Sequence, residues 1–176
     1  MAFDHRCCPV PSQDSHTIFR LGSTITPARR HLFLLDSPSA VQFPGVVWDL
    51  TEEIYLRPES GGLLVSPCDE EPMGACSHVP TSPEAGALLM DKLGRWAPAL
   101  QGASVRRSWA GLRPLTRDHR FVVGPDPLLP GLFRLGGFGG HGMTAGAAAG
   151  ELAAMLICGE DSPLAAALSP SRFARA

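Results

Sequence analysis

Apolar and polar positions alternate along much of this chain in the short period of a half-buried strand, and take a helical period in two stretches. Pro27-Ala-Arg-Arg-His-Leu-Phe-Leu-Leu35 reads as a strand with a basic start and an apolar end, and Val46-Val-Trp48 continues the theme. Glu53-Ile-Tyr-Leu-Arg57 alternates, Pro58-Glu-Ser-Gly-Gly62 supplies a turn and Leu63-Leu-Val65 returns, which predicts a hairpin. Ser82-Pro83-Glu84 has the marks of a helix start: a capping hydroxyl, proline in the first helical position and a carboxylate where the dipole favours one. The helix should run to about Trp96, with Leu88, Leu89, Leu93 and Trp96 toward the sheet. Strands are expected at Ser104–Arg113, Phe121–Val123 and Leu132–Leu135, the first two separated by the loop Pro114–His119. Last comes Gly136-Gly-Phe-Gly-Gly-His-Gly-Met-Thr144, a glycine-dense loop opening onto a helix from Ala145 to about Cys158, closed by Gly159.

Composition narrows the class. At 176 residues the chain has one ordinary domain's length, short for an enzyme of two domains. Apolar residues at 44% and charged residues at 18% describe a globular protein. Nineteen glycines and seventeen prolines make about one residue in five, against the roughly 12% usual for the pair, so many turns and short strands are expected. Fifteen basic and seventeen acidic side chains leave a net charge of −2, which gives no electrostatic reason to expect nucleic acid or an anionic membrane as a partner. Lys92 is the only lysine, read here as a coding bias. The five cysteines, at 7, 8, 68, 76 and 158, form no zinc-like spacing and no even disulfide set. No stretch approaches the ~20 apolar residues of a membrane helix, and the first residues lack a signal-peptide core, so a cytoplasmic protein is expected. Residues 1–19 read as a disordered or adventitious leader.

The glycine loop is the most informative stretch. A strand, a glycine loop and a helix in that order bring backbone close to a flat or anionic ligand, with free N–H groups and the positive dipole end aimed at it. Ala145, Ala148, Ala149 and Ala153 let the helix lie tight against a neighbour. Gly137, Gly139 and Gly142 match G-x-G-x-x-G formally, but a dinucleotide site needs a second strand and an acidic residue about 20 positions on, and no strand leads into Asp161. Three readings stand: a cradle for another part of a flat cofactor, a structural loop without ligand, and a true ADP-binding turn. Arg113, leaving an apolar strand before Pro114, suits a carboxylate clamp by its planar fork; the plainer reading is an internal ion pair. His141 could transfer protons, or be held by a backbone carbonyl and only shape the turn. Tyr55, the only tyrosine, and Arg57 are either surface strand residues or pocket residues. No G-x-S-x-G occurs, and Glu52/Glu53 and Glu70/Glu71, adjacent on strands, read as solvated.

Taken in order, Ile54-Tyr-Leu-Arg-Pro-Glu-Ser-Gly-Gly-Leu-Leu64, Trp109-Ala-Gly-Leu-Arg-Pro-Leu-Thr-Arg-Asp118, Val123-Gly-Pro-Asp126, Leu129-Pro-Gly-Leu132, the loop from Gly136 to Thr144 and the closing Leu168-Ser-Pro-Ser-Arg-Phe173 resemble the C-terminal half of FAD-dependent amine and amino-acid oxidoreductases, the group of D-amino acid oxidase, glycine oxidase and sarcosine oxidase. The resemblance runs from about Leu21 to Phe173. It implies an α+β fold: an antiparallel or mixed-sheet substrate domain with packed helices over residues 20–124, then at 125–176 a strand–loop–helix belonging to an incomplete FAD-binding Rossmann-type domain.

By the same resemblance Gly137, Phe138, Gly139, Gly140, His141, Gly142, Met143 and Thr144 would meet the flavin ring. Arg113, with Tyr55, would bind a small amine or amino-acid substrate through its carboxylate. The family's glycine-rich ADP site has no counterpart, so a truncated gene product is expected, holding FAD poorly alone or completing a site with a partner chain that supplies the Rossmann half; an inactive remnant is the other outcome. Ser108–Thr116 contains no cysteine, so FAD should be non-covalent. The oxygen-activating lysine of some relatives is replaced near Leu64, which leaves oxidase and dehydrogenase chemistry both open. The helix after Thr144 should have a bare apolar face, giving poor solubility or a need for a partner.

Overall fold

A computed structural model describes residues 25–36, 45–74 and 76–174. The expected leader at 1–19 lies outside the described residues. The chain divides into two compact units, one of Ala28–Leu112, the other carrying Arg113–Ala176 with the segment ending at Pro27.

In the Ala28–Leu112 unit, β1 (Ile25–Leu35) pairs with β4 (Gly62–Ser66) and β5 (Glu71–Pro72), both antiparallel, and also with β6 (Val105–Thr116). The strands β2 (Val47–Asp49), β3 (Ile54–Glu59) and β4 continue the sheet as an antiparallel meander. Its tight turn is Ser60-Gly61, both residues at positive φ (49° and 70°), the twist that two-residue hairpin loops demand. Pro58 and Glu59, expected in the turn, are still strand.

The helix α1 (Pro83–Trp96) begins where the sequence placed it. Ser82 is extended and its Oγ accepts from the Ala85 N–H at 3.4 Å, while Pro83 occupies the first turn. Ala85, Leu89, Lys92 and Leu93 form its buried stripe. Leu89 and Leu93 meet Leu35, Ile54, Leu56, Leu63 and Val65 from the sheet, all within 2% exposure, so β3 buries alternate residues as the period of two requires. Leu88 and Trp96 are only half-buried; the indole N–H of Trp96 donates to Asp49 at 3.0 Å. Lys92 Nζ donates to the carbonyls of Glu53 (2.9 Å) and Pro67 (2.8 Å), joining two loops from inside the unit.

Along β1, Arg29, Arg30 and His31 each meet an acid. Arg29 pairs with Glu71, Arg30 with Glu70, and His31 Nδ1 lies 2.6 Å from Asp69. The register that sets Arg29 opposite Glu71 brings two arginines and a histidine against three acids. Glu70 and Glu71 are therefore ion-paired rather than simply solvated, and Glu52 likewise takes Arg95 at 3.2 Å.

In the other unit, β7 (Val122–Pro125) and β8 (Phe133–Gly136) form an antiparallel hairpin. Against it lies α2 (Gly142–Ile157), whose Ala149, Leu152 and Ala153 pack with Val123, Phe133 and Phe138. The small residues give the close seat expected of them at Ala149 and Ala153, while Ala148 is exposed. The helix α2 starts at Gly142, three residues before the expected Ala145, because the His141 carbonyl already accepts from Thr144 and Ala145 N–H. A short α3 (Ala165–Leu168) and a 3-10 turn, Pro170–Phe173, end the described chain. No helix among the described residues is long and apolar enough to cross a membrane.

Candidate functional site

The glycine loop rests on the end of β6, residue against residue. A Cβ built on Gly137 would stand 2.9 Å from the Thr116 methyl, one on Gly139 2.9 Å from Leu115 Cδ2, and one on Gly140 3.0 Å from Arg113 Nε. All three glycines have positive φ (70°, 57° and 105°), and the Gly139 N–H donates to the Pro114 carbonyl at 3.0 Å. The close approach that glycine permits here is thus to the protein's own strand. Side chains at these positions would collide with β6 on one side and strain the backbone as well.

That seating fixes the other site residues. Arg113 is half-buried with its guanidinium beneath Gly140, and forms no ion pair with a described acid. Phe138 turns inward: its ring joins the Val123–Ala149–Leu152 cluster and lies 5.1 Å from Phe121, so its backbone alone follows the loop surface. His141 sits at the N-cap of α2, exposed, with Nδ1 3.2 Å from the Phe138 carbonyl, the kind of contact that shapes a turn. Gly142 and Met143 begin the helix, where N–H groups have no intrahelical acceptor; Met143 is 99% exposed. The Thr144 hydroxyl donates to the His141 carbonyl at 3.0 Å. Tyr55 is half-buried on β3, opposite Trp48 and Ser66, and belongs to the Ala28–Leu112 unit, whereas Arg113 and the loop belong to the other. Arg57 is engaged with Glu59 at 2.7 Å.

Behind the loop is a polar lock that the residue patterns did not reveal. Arg172 donates to both oxygens of Asp118 (2.8 and 3.1 Å), and with Thr116 and the Arg120 N–H it holds the Asp118 carboxyl well below the ordinary carboxylate range. Asp126 is a second such group. Burial would raise its pKa, but the Leu128 N–H, Arg134 and the Leu129 N–H outweigh that and lower it. The sequence signals were aspartates in turn-forming stretches, Asp118 and Asp126, and single arginines whose partners lie elsewhere along the chain.

The Ala28–Leu112 unit holds a cavity of about 420 Å³ lined by His31, Asp69, Glu70, Ser82, Glu84 and Leu88 among others. His31 against Asp69 resembles half of a catalytic triad, but its Nε2 accepts from the Ser82 backbone N–H at 2.9 Å, while the Ser82 hydroxyl caps α1 and donates to Glu84. That fixes His31 as the neutral Nδ1–H tautomer and leaves no nucleophile in line.

These features define an α+β protein in which a strand end, a glycine loop and a helix N-terminus come together with a half-buried arginine beside them. The model of the FAD dependent oxidoreductase family, the group of D-amino acid oxidase, matches residues 13–156, and the chain belongs to that family, whose cofactor is FAD. It is 30% identical over 166 residues to FAD-dependent oxidoreductase domain-containing protein 1 of Bos taurus, covering 86% of this chain and 32% of the relative. It is 31% identical over 112 residues to glycine oxidase of Bacillus subtilis, covering 62% and 29%. Among solved structures, iminodiacetate oxidase from Chelativorans sp. BNC1 superposes with a TM-score of 0.63 at 26% identity, covering 84% of this chain and 40% of the other. The chain therefore spans about a third of the length of the curated relatives it matches.

Proposed function

We propose that this chain is the substrate-domain and C-terminal portion of an FAD-dependent oxidoreductase acting on a small amine or amino acid, with residues 20–124 as the substrate domain and 125–176 as the C-terminal part of the FAD-binding domain. The observation that carries the reading is Arg113: a half-buried guanidinium without a described acid partner, held beneath Gly140 at the edge of a side-chain-free loop. Glycine and iminodiacetate, named in two of the proteins this chain is similar to, each join an amine to a carboxylate, the group that Arg113 would grip by its two parallel N–H donors.

The residues present fit the ring end of the cofactor. On the solvent side of the loop, a Cβ at Gly142 would meet nothing nearer than Phe138 Cβ at 4.0 Å, and the α2 N-terminus offers N–H donors to developing negative charge. The loop Gly139–Thr144 would hold the ring end of FAD, which would supply a hydride acceptor for oxidation at the carbon bearing the amine. Arg113 would fix the carboxylate and thereby the orientation of that carbon, and the His141–Phe138 contact would hold the loop in shape. FAD would be held without a covalent bond.

The reading predicts that riboflavin, which lacks the ADP part, perturbs the amide resonances of Gly139–Thr144 as FAD does, and that glycine then perturbs the Arg113 side-chain signal. No shift in the loop with either flavin would overturn it. A second reading, a subunit that completes a flavin site with another chain, is favoured by the exposed apolar side chains Met143 (99% exposed), Ile157 (66%) and Leu164 (55%). Co-purification of a flavin-bound complex from cells would favour it over a chain that acts alone.

A further inference from the structure

We propose that Arg172 is a positioning residue for the glycine loop, acting through Asp118, Arg120 and Phe121 without touching the loop itself. The functional meaning rests on the reading above; the positioning itself does not.

The side chain of Arg172 is 14% exposed and each of its guanidinium nitrogens donates. Nε and Nη2 take the two oxygens of Asp118, Nη2 also reaches the carbonyls of Arg120 and Phe121 (both 3.0 Å), and Nη1 reaches those of Leu168 (2.8 Å) and Ser169 (3.0 Å). One face lies 4.1 Å from the Phe173 ring. A single side chain therefore ties the last turn of the chain to the segment following β6.

That segment is the back wall of the loop. The Thr116 hydroxyl shares its one proton between the Arg120 carbonyl at 2.7 Å and Asp118 at 2.9 Å, and the methyl of the same Thr116 is what Gly137 sits on. The Arg120 carbonyl itself stands 3.8 Å from the point a Gly137 Cβ would fill. The Phe121 ring meets Phe138 at 5.1 Å and His141 at 6.5 Å. Any shift of Asp118–Phe121 must displace Gly137, Phe138 and His141 together. An arginine suits the task because its planar fork satisfies a carboxylate and several carbonyls at once; a lysine ammonium can meet the acid but not the set.

Amide hydrogen exchange on the whole chain tests this. The reporters are the Gly139 N–H, bonded to the Pro114 carbonyl, and the His141 N–H, bonded to that of Phe138; the amides paired between β7 and β8 are the control. Arg172→Met should speed exchange at Gly139 and His141 by about tenfold or more, as loss of charged hydrogen bonds does for a local opening, and leave the hairpin unchanged. Arg172→Lys should restore part of the protection. Unchanged loop exchange overturns the proposal, as does an equal loss in loop and hairpin, which would make Arg172 a general structural residue. Should Arg172→Met fail to fold, Asp118→Asn is read by the same two criteria. Loosening of the loop without any change in riboflavin response would uphold the positioning role while sinking the flavin-facing reading.

Discussion

The Arg113 Nε lies 3.0 Å from the point that a Cβ on Gly140 would occupy, so the arginine and the glycine share one space. Gly140→Ala would push into the guanidinium while forcing alanine to a φ of 105°, a conformation few L side chains adopt. We expect a loss of about 1–3 kcal/mol in chemical denaturation. We also expect the Arg113 side-chain resonance to move, since the guanidinium must give way. An unmoved Arg113 signal would show that the two are not coupled.

Gly62 presents the same question at a strand. Its missing Cβ would meet the backbone carbonyl of Leu35, which cannot swing aside as a side chain can. Gly62→Ala should part β4 from β1 at the Leu35–Leu63 register and cost about 2 kcal/mol or more, read by denaturant midpoint. Gly61→Ala, in the adjoining turn at φ 70° with nothing within 4 Å, carries only the backbone strain and should cost about 1 kcal/mol.

The contrast between these glycines marks what a sequence discloses. The Ser82 cap, the α1 stripe and the β3–β4 hairpin depend on neighbours a few residues away, and each is visible as a local pattern. The family was visible too, because ordered motifs survive as strings. What Gly137, Gly139 and Gly140 are pressed against depends on residues more than twenty positions away, and nothing in the loop names Thr116, Leu115 or Arg113 as the partners. The pairing of Arg29, Arg30 and His31 with Glu71, Glu70 and Asp69 was hidden for the same reason: each triplet looks like a solvated charge run until the β1–β5 register brings them opposite.

Lys92, the one lysine in the chain, is 9% exposed and bridges two loop carbonyls. Lys92→Met keeps most of the apolar stem but leaves the Glu53 and Pro67 carbonyls without their charged donor. The expected cost is about 2–4 kcal/mol, in the range for buried acceptors left unpaired, detected as a lower denaturant midpoint. Lys92→Arg should cost less if charge is what matters, more if the compact ammonium is needed to reach both carbonyls. A midpoint unchanged by Lys92→Met would remove the bridge from the account of this unit.

Acid should unlock the loop-backing segment from the same side as Arg172 removal. Asp118 has its pKa lowered first by the Arg172 hydrogen bonds, so between its folded value and the ordinary 3.8 the unfolded chain binds a proton that the folded chain does not. Stability then rises with pH through that window: its contribution is complete above about pH 4 to 5 and is lost as pH falls below. Asp126, lowered despite its burial, adds to the slope in the same direction. Asp118→Asn removes one titrating group, and its denaturation free energy should fall less steeply than wild type on acidification below about pH 4, the two curves running parallel above pH 5. Gly139 amide exchange should follow the wild-type acid limb, since the same carboxylate ties Arg172 to the wall behind Gly137. Identical acid slopes in the two proteins would mean that Asp118 is no more ionised in the fold than in the open chain.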